Sequence, residues 1–336
     1  MKYSDYPRHV VEDVARLRRR IAASGLPEKV IDKNLLIGSW NIFHFGSIFN
    51  QWEENPNSPK RNLRGLTIIA EVIRRFDVVA IQEVKRDTTA IRMLLEDFLG
   101  SNWGLILSDI TEGANQNHER LAFIYDKRRV SPSGLAGEIV LPPTDEGNPV
   151  DQFDRTPYIV GFESGYQSFS LLTTHILFGA KSSDREPEIK ALAQYIATEL
   201  RDRAREDTEV NNLIVLGDFN IDKRGDNDLF KAFTSSGLRV PDELMQLKTT
   251  FGKKASHYDQ IAWFMGMMDL MYAKRAGSID FVGAVYKELK STQLPSRVSD
   301  HFPIWVEFSM DRSTEQMATT LGVDPAMPDP LGTVPE

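Results

Sequence analysis

Leu213-Ile214-Val215-Leu216-Gly217-Asp218-Phe219-Asn220 is an apolar run that ends in polar chemistry. A strand over 213–216 would bury its apolar side chains and deliver Asp218 and Asn220 to the rim of a sheet. Two residues apart in extended geometry, those side chains point the same way. A carboxylate can hold a divalent cation, and a carboxamide beside it can orient a phosphate oxygen or a nucleophilic water. A strand-ending Asx turn would use the same residue types. Trp40-Asn41 and Ser299-Asp300-His301 are further polar clusters bordering apolar runs, far away in sequence. The three can cooperate only if the fold gathers strand ends at one edge. Carboxylates, carboxamides and histidines without cysteine point to a hard metal ion and phosphate-ester chemistry.

Outward from that run, strand-like stretches lie at 35–40, 78–81, 103–107, 121–125, 158–162, 169–174, 260–264 and 303–308. Helical patterns lie between several of them, at 66–75, 91–99 and 186–204; the last carries Ile189, Leu192, Ala193, Ile196 and Leu200 on one face. Val10, Val11, Val14, Leu17 and Ile21 repeat at helical spacing over 9–23, and Gly25 with Pro27 ends that helix. Arg16, Arg18, Arg19 and Arg20 form its basic face, which is read as solvated because Glu12 and Asp13 lie nearby. Strands and helices interleave from Leu35 to Phe308 without a linker, so one α/β domain with two packed sheets is expected. The expected division is a helical extension over 1–33, a catalytic domain over 34–310 and a disordered tail over 311–336, where prolines recur. Two long stretches, 44–64 and 142–156, rich in Pro, Asn and acidic residues, read as functional loops.

Glu83 follows the apolar stretch that begins at Val78, and Asn41 follows Trp40; each alone could be a surface carboxylate or a turn residue. His175 closes the 169–174 strand, and His301 precedes the strand that starts at Pro303. A lone histidine at either place is more often a satisfied structural residue than a catalyst. Glu119, beside Arg120, and Asp259 offer acidic partners. A carboxylate bonded to one ring nitrogen fixes the tautomer and raises imidazole basicity, which suits acid–base work near neutral pH. Which pairs form is open at this level.

The 336 residues are 41% hydrophobic and 26% charged, the profile of a globular protein with an ample core. No apolar stretch approaches the ~20 residues needed to cross a bilayer. The absence of cysteine excludes disulfides, thiolate zinc sites and cysteine nucleophiles. The first residues hold no apolar signal core, and Asp5, Glu12 and Asp13 argue against a transit peptide, so a cytoplasmic location is expected. A net charge of −8 disfavours a protein that coats DNA, since such binding draws on counterion release by basic residues. It leaves room for an enzyme with a local basic rim.

The segments 37–46 (IGSWNIFHFG), 76–85 (FDVVAIQEVK), 119–130 (ERLAFIYDKRRV), 154–157 (DRTP), His175, 215–220 (VLGDFN), 258–261 (YDQI) and 299–304 (SDHFPI) follow one another in order. As an ordered set they resemble the endonuclease/exonuclease/phosphatase superfamily, and within it the deoxyribonuclease I branch, over residues 35–308. The resemblance implies a four-layer α/β sandwich: two packed mixed β-sheets flanked by helices, with the site in a cleft at one edge. It implies Mg²⁺, for which Mn²⁺ can substitute, held principally by Glu83 with Asn41, Asp218 and Asp300 nearby. Asn220 would hold a non-bridging phosphate oxygen, Arg155 would approach the phosphate, and Lys85 would keep a basic substrate contact. His175 would be held by Glu119 and His301 by Asp259.

The activity so implied is a divalent-metal-dependent phosphodiesterase, an endonuclease hydrolysing DNA by in-line attack of an activated water, with RNA and single strands left open as substrates. His301 with Asp259 would form the nucleophile, and His175 would serve the leaving group or offset charge on the phosphorus together with Arg155. Two departures touch the substrate surface: Phe43 stands where the deoxyribonuclease I branch carries an arginine, and Asn117 where it carries a minor-groove tyrosine. The rival readings are a phosphoesterase on a small or lipid phosphoester and a non-catalytic binding protein on the same fold. Ser256-His257-Tyr258-Asp259-Gln260 lacks the inositol polyphosphate phosphatase signature, while Lys253-Lys254 and the arginines of the first helix favour a polyanion.

Overall fold

The computed structural model describes residues 2–111, 118–143, 146–200, 212–252, 254–325, 327 and 329–332. In chain order its strands are β1 (Asn34–Phe45), β2 (Val78–Lys85), β3 (Trp103–Leu107), β4 (Glu119–Asp126), β5 (Ser131–Glu138) and β6 (Tyr158–Ser164). They continue as β7 (Gln167–His175), β8 (Leu213–Asp218), β9 (Leu238–Arg239), β10 (Asp259–Phe264), β11 (Met271–Ser278) and β12 (Ile304–Ser309). The α-helices are α1 (Arg8–Ala23), α2 (Leu63–Ile73), α3 (Thr89–Met93), α4 (Glu186–Tyr195), α5 (Asp228–Thr234), α6 (Asp242–Met245) and α7 (Ser313–Thr320).

Two six-stranded mixed sheets form, ordered β11-β12-β1-β2-β4-β3 and β5-β6-β7-β8-β10-β9. Each contains one parallel pair, β1 with β2 and β7 with β8, while its other neighbours run antiparallel. A parallel pair needs a crossover, which α2 and α4 supply. Strands β1, β2 and β8 are buried almost throughout, because one face meets the other sheet and the other meets helices. Ile37, Ala80, Phe123 and Val306 share one core cluster with Leu171, Leu216 and Ile261 of the second sheet. Leu36, Val79, Ile81 and Trp305, one residue out of phase, join Val10 and Leu17 of α1 and Leu66 of α2 in a second cluster. The four layers expected from sequence are present.

Every central strand found at sequence level is there, most of them extended toward the polar cluster at its end. The edge strands β5, β9 and β11 were not anticipated: β5 and β11 are largely exposed and carry no apolar alternation. The expected helices at 91–99 and 186–204 begin as α3 and α4 and run on as π turns over Leu94–Leu99 and Ile196–Leu200. Residues 201–204 of the second lie outside the described ones, as do Asn117 and Lys253.

Two expectations about the ends need correcting. The basic face of α1 is not simply solvated: Arg16 donates to the Ala284 carbonyl (2.8 Å) and Arg18 to Glu71 (2.7 Å). Buried Asp13 pairs with Arg64 (2.7 Å) and accepts from the Tyr286 amide (3.0 Å), so 1–33 is packed into the body rather than appended. The tail expected to be disordered opens with α7, where Arg312 pairs with Glu315 (2.8 Å) and Ala318 is buried. Among the described residues no helix is long and apolar enough to cross a membrane.

Candidate active site

Strand direction explains why distant residues meet. Parallel strands β1, β2, β7 and β8 bring their C-terminal ends to one rim, carrying Asn41, Glu83, His175 and Asp218. Their antiparallel neighbours β4, β10 and β12 start at that rim, which places Glu119, Asp259 and, just before β12, His301 there. In register, His175 stands beside Asp218 and Asp218 beside Asp259. Side chains alternate faces with period two. The parity that sends Ile37, Leu121, Leu171, Leu216 and Ile261 inward therefore sends Asn41, Glu119, His175, Asp218 and Asp259 to the same inner face.

Glu83 breaks this parity, since Ala80 and Gln82 already point inward on β2. A bulge between Ile81 and Val84, with Glu83 at φ 63°, re-aims its side chain. Its Oε2 accepts the His44 amide (2.8 Å) at the end of β1. Asn220 also sits in the left-handed region, at φ 51°.

The centre is built around buried Asp218. Its Oδ2 accepts Asn41 Nδ2 at 2.9 Å, its Oδ1 accepts the Asn220 amide at 2.9 Å, and the Nε2 atoms of His175 and His301 each lie 3.7 Å from Oδ2. His301 Nδ1 is 2.8 Å from Asp259 Oδ2, and His175 Nδ1 is 3.0 Å from Glu119 Oε2. Both imidazoles are buried, held at Nδ1 and aimed by Nε2 at one point.

The charges follow from this packing. Burial would raise the Asp218 carboxyl, but His301, His175 and the Asn41 and Asn220 donors outweigh it and hold it low. Asp259 is raised, chiefly by burial, with Asp218 adding to the effect. Burial would lower His301, yet Asp259, Asp218 and Asp300 raise it well above an ordinary histidine. Burial would also raise Glu119; its bond to His175 and the charges of His175, Arg155 and Lys85 bring it below the usual carboxylate range.

Arg155 and Lys85, expected to face substrate, both converge on Glu119. Arg155 Nε is 2.5 Å from Oε2, with Nη1 3.1 Å from Asp154, and Lys85 Nζ is 2.7 Å from Oε1. Asn220 gives an amide proton to the Ile176 carbonyl (2.7 Å).

A divalent cation finds suitable donors here. Asn41 Oδ1 and Asp300 Oδ1 are buried oxygens without a hydrogen-bond partner among the described residues. Asp300 is raised by burial, with Glu83 and Asp218 adding like charge. Unsatisfied oxygens amid carboxylates are the donor set of a hard cation. A second set, Asp218, Asp259 and His301, places ligand atoms within 4.8 Å of one another. There, however, His301 already supplies the positive charge between two carboxylates, so the Asn41, Glu83 and Asp300 side is the better fit.

Several polar residues support the site; of these only Ser299 stands in a cluster named from sequence, where it carries no assigned role. Ser299 Oγ donates to the Asn41 carbonyl (2.6 Å) and accepts the His301 amide (3.0 Å), tying β1 to the segment before β12. Buried Arg61 donates to the carbonyls of Phe43 (2.6 Å), His44 (3.0 Å) and Val298 (3.0 Å), and desolvation lowers its pKa to about 10. It belongs to the 44–64 loop, so that loop clamps the site as well as bordering it. Arg185 holds the Asn220 carbonyl (2.6 Å) and Arg224 that of Asp259 (2.7 Å). Nothing in the local pattern marks these arginines, since the site carbonyls that they hold lie 17 or more residues away along the chain. Gly217 did carry a signal: at φ 142° a Cβ would run into the Thr174 carbonyl, which keeps β8 close to β7.

Comparison with known proteins gives a consistent picture. Residues 38–301 match the Endonuclease/Exonuclease/phosphatase family. A protein named Deoxyribonuclease from Thioalkalivibrio sp. (strain K90mix) is 30% identical over 288 residues, 82% of this chain and 71% of that protein. Deoxyribonuclease gamma of Rattus norvegicus is 26% identical over 301 residues, 83% of this chain and 86% of that one. Among solved structures, the human Nocturnin catalytic domain superposes with a TM-score of 0.53 at 17% identity, covering 83% of this chain and 95% of that domain, a likeness of fold alone.

Proposed function

The chain belongs to the endonuclease/exonuclease/phosphatase family and is a hydrolase of phosphoric esters, and on that premise we propose a divalent-metal-dependent endonuclease that hydrolyses DNA. The observation that carries the reading is the convergence of two carboxylate-held imidazoles: His175 Nε2 and His301 Nε2 each lie 3.7 Å from Asp218 Oδ2. In-line displacement at phosphorus needs one group to take a proton from water and another to serve the departing oxygen. Two fixed imidazoles at one point meet that need. Relatives named as deoxyribonucleases support DNA as the substrate.

Glu83, Asn41, Asp300 and Asp218 would hold Mg²⁺ or Mn²⁺. When bound, the cation supplies charge neutralisation to the phosphate and to the carboxylates around it. His301 in its neutral form, oriented at Nδ1 by Asp259, would take a proton from the attacking water at Nε2. The water oxygen bonds to phosphorus as the bond to the 3′ oxygen breaks, and His175, oriented by Glu119, serves that leaving oxygen. The second amide proton of Asn220 is left for a non-bridging oxygen, since the first is spent on Ile176. Arg155, reaching the centre through Glu119, adds positive charge against the developing dianion. The lack of cysteine supports action in the reducing cytoplasm.

The test is a time course with Mg²⁺ or Mn²⁺ on supercoiled plasmid, with EDTA and Asp218→Asn as controls. Nicking that disappears in both controls is expected. No cleavage of DNA, with turnover of a sugar phosphate or a sphingolipid phosphodiester instead, would replace this reading with the small or lipid phosphoester one.

A further inference from the structure

Four aromatic rings flank the centre in two groups that the chemistry above does not use. On one side Phe43 and His44 stack face to face, with centroids 4.3 Å apart and planes 13° from parallel. His44 is exposed and Phe43 half-buried. This pair is fixed to the site itself: the His44 amide donates to Glu83 (2.8 Å), the Phe43 amide to Ser299 Oγ (3.4 Å), and Arg61 holds both carbonyls.

On the other side, Phe178 is 53% exposed although it is a large apolar ring. The guanidinium of buried Arg185 lies over that ring, 4.4 Å from its centroid. Arg185 also donates to the carbonyls of Phe178 (2.7 Å) and Asn220 (2.6 Å). Phe178 meets Tyr258 edge to face at 6.2 Å, and Tyr258 lies 6.0 Å from the His301 ring. Both groups are thus within one side chain of the groups assigned to the reaction.

We propose that these two platforms, Phe43–His44 and Phe178–Tyr258, stack the unpaired bases on either side of the scissile phosphate, so that a single-stranded polynucleotide is the preferred substrate. The inference rests on the phosphodiesterase reading and adds the form of the strand. In a duplex the base faces are covered by their neighbours and offer nothing to an aromatic ring. In a single strand they are available, and stacking on aromatic side chains is the sequence-tolerant way to hold one. The net charge of −8 adds no long-range attraction for a polyanion, so stacking contacts that salt does not screen would supplement whatever a local basic rim supplies. Arg185 is a positioning residue here, setting Phe178 and the Asn220 backbone together.

The full chain with Mg²⁺ is tested on one 20-nucleotide DNA sequence as a single strand and as a blunt duplex, and on the matching RNA strand. Bis(p-nitrophenyl) phosphate measures the chemistry alone. The single strand should exceed the duplex at least about tenfold in kcat/KM, with a shallow dependence on salt. Phe43→Leu and Phe178→Leu keep apolar volume and remove the aromatic face. Each should shrink the single-strand preference about tenfold, mainly through KM, with Tm unchanged. A single strand carrying 2-aminopurine should be quenched on binding in EDTA, less so by either variant. A duplex cut as fast as the single strand, or variants with unaltered preference and quenching, would overturn the proposal. RNA outrunning DNA would support stacking and assign the strand as RNA. A wild-type chain inert toward bis(p-nitrophenyl) phosphate but still quenching 2-aminopurine would fail the phosphodiesterase reading and leave stacking supported.

Discussion

Asn41 Nδ2 donates to Asp218 Oδ2 at 2.9 Å, and with the His175–Glu119 and His301–Asp259 pairs this bond joins the rim of one sheet to the rim of the other. Deeper in the sandwich, Gln82 Nε2 reaches Thr173 Oγ1 across the same gap (3.0 Å). Elsewhere the two inner faces meet through apolar side chains, so polar cross-links concentrate where the chemistry is placed. The site is therefore a junction between sheets, and its geometry depends on how they stack.

Asp218 carries the convergence of both histidines, yet few apolar contacts depend on it. Asp218→Asn and His301→Gln are each expected to lower kcat/KM by about 10³-fold or more while moving Tm by only a few degrees. Steady-state kinetics beside thermal melts checks this. Near-wild-type turnover in either variant would place the reaction elsewhere.

Mg²⁺ should bind and stabilise the folded chain, because it relieves the crowding of Glu83, Asp300 and Asp218. At a concentration about 100-fold above Kd the gain is about 2.7 kcal/mol, or roughly 4 °C in Tm for a chain of this size. Glu83→Gln should lose most of that shift. A Tm indifferent to Mg²⁺ in the wild type would count against the ligand set.

Glu119 differs from Asp218 in anchoring two cations, Arg155 and Lys85, besides His175. Removing the carboxylate breaks a buried ion pair, for which the usual cost is about 3–5 kcal/mol, and Asp154, 3.1 Å from Arg155, offsets part of it. Glu119→Gln is thus expected to be both unstable and inactive, and urea denaturation should show the loss. A variant as stable as Asp218→Asn would mean the pairing contributes little.

Asp126 pairs with Lys29 (2.8 Å) and Arg128 (2.6 Å). Burial opposes ionisation, but the Arg128 and Lys29 bonds prevail and depress its pKa from 3.8 to about 2. A depressed carboxylate contributes stability that is complete above its unfolded pKa and is lost as pH falls through the folded one. The window is therefore about pH 4 down to pH 2. Because Arg128 is largely exposed, the contribution is about 1–2 kcal/mol after screening. Asp126→Asn should be less stable than wild type at pH 7, and the gap should close on acidification. Denaturation curves that keep a constant gap down to pH 3 would refute the assignment.

Much of the architecture could be read locally. The apolar runs ending at Asn41, Gln82, Thr174 and Leu216 became central strands, because strands covered on both faces need uninterrupted hydrophobic sequence. The edges β5 and β11 could not be found that way, since exposed strands carry no such run. The helix opening the tail was equally hidden, as it rests on Arg312, Glu315 and one buried alanine.

The sequence by itself determined the inventory: which strands are buried, that polar clusters sit at their ends, and that the donors are oxygens and imidazoles. Period two even decided the face on which Asn41, Glu119, His175, Asp218 and Asp259 lie. Only the tertiary structure decided which donors meet. Both the pairing of His301 with Asp259 and that of His175 with Glu119 depend on one sheet stacking over the other, while β10 lying beside β8 sets Asp259 next to Asp218. Glu83 faces the site only through a bulge, and Arg61 and Ser299 act on backbone carbonyls far away along the chain. Local patterns report burial and chain direction; a contact between remote groups is fixed only when packing sets their distance.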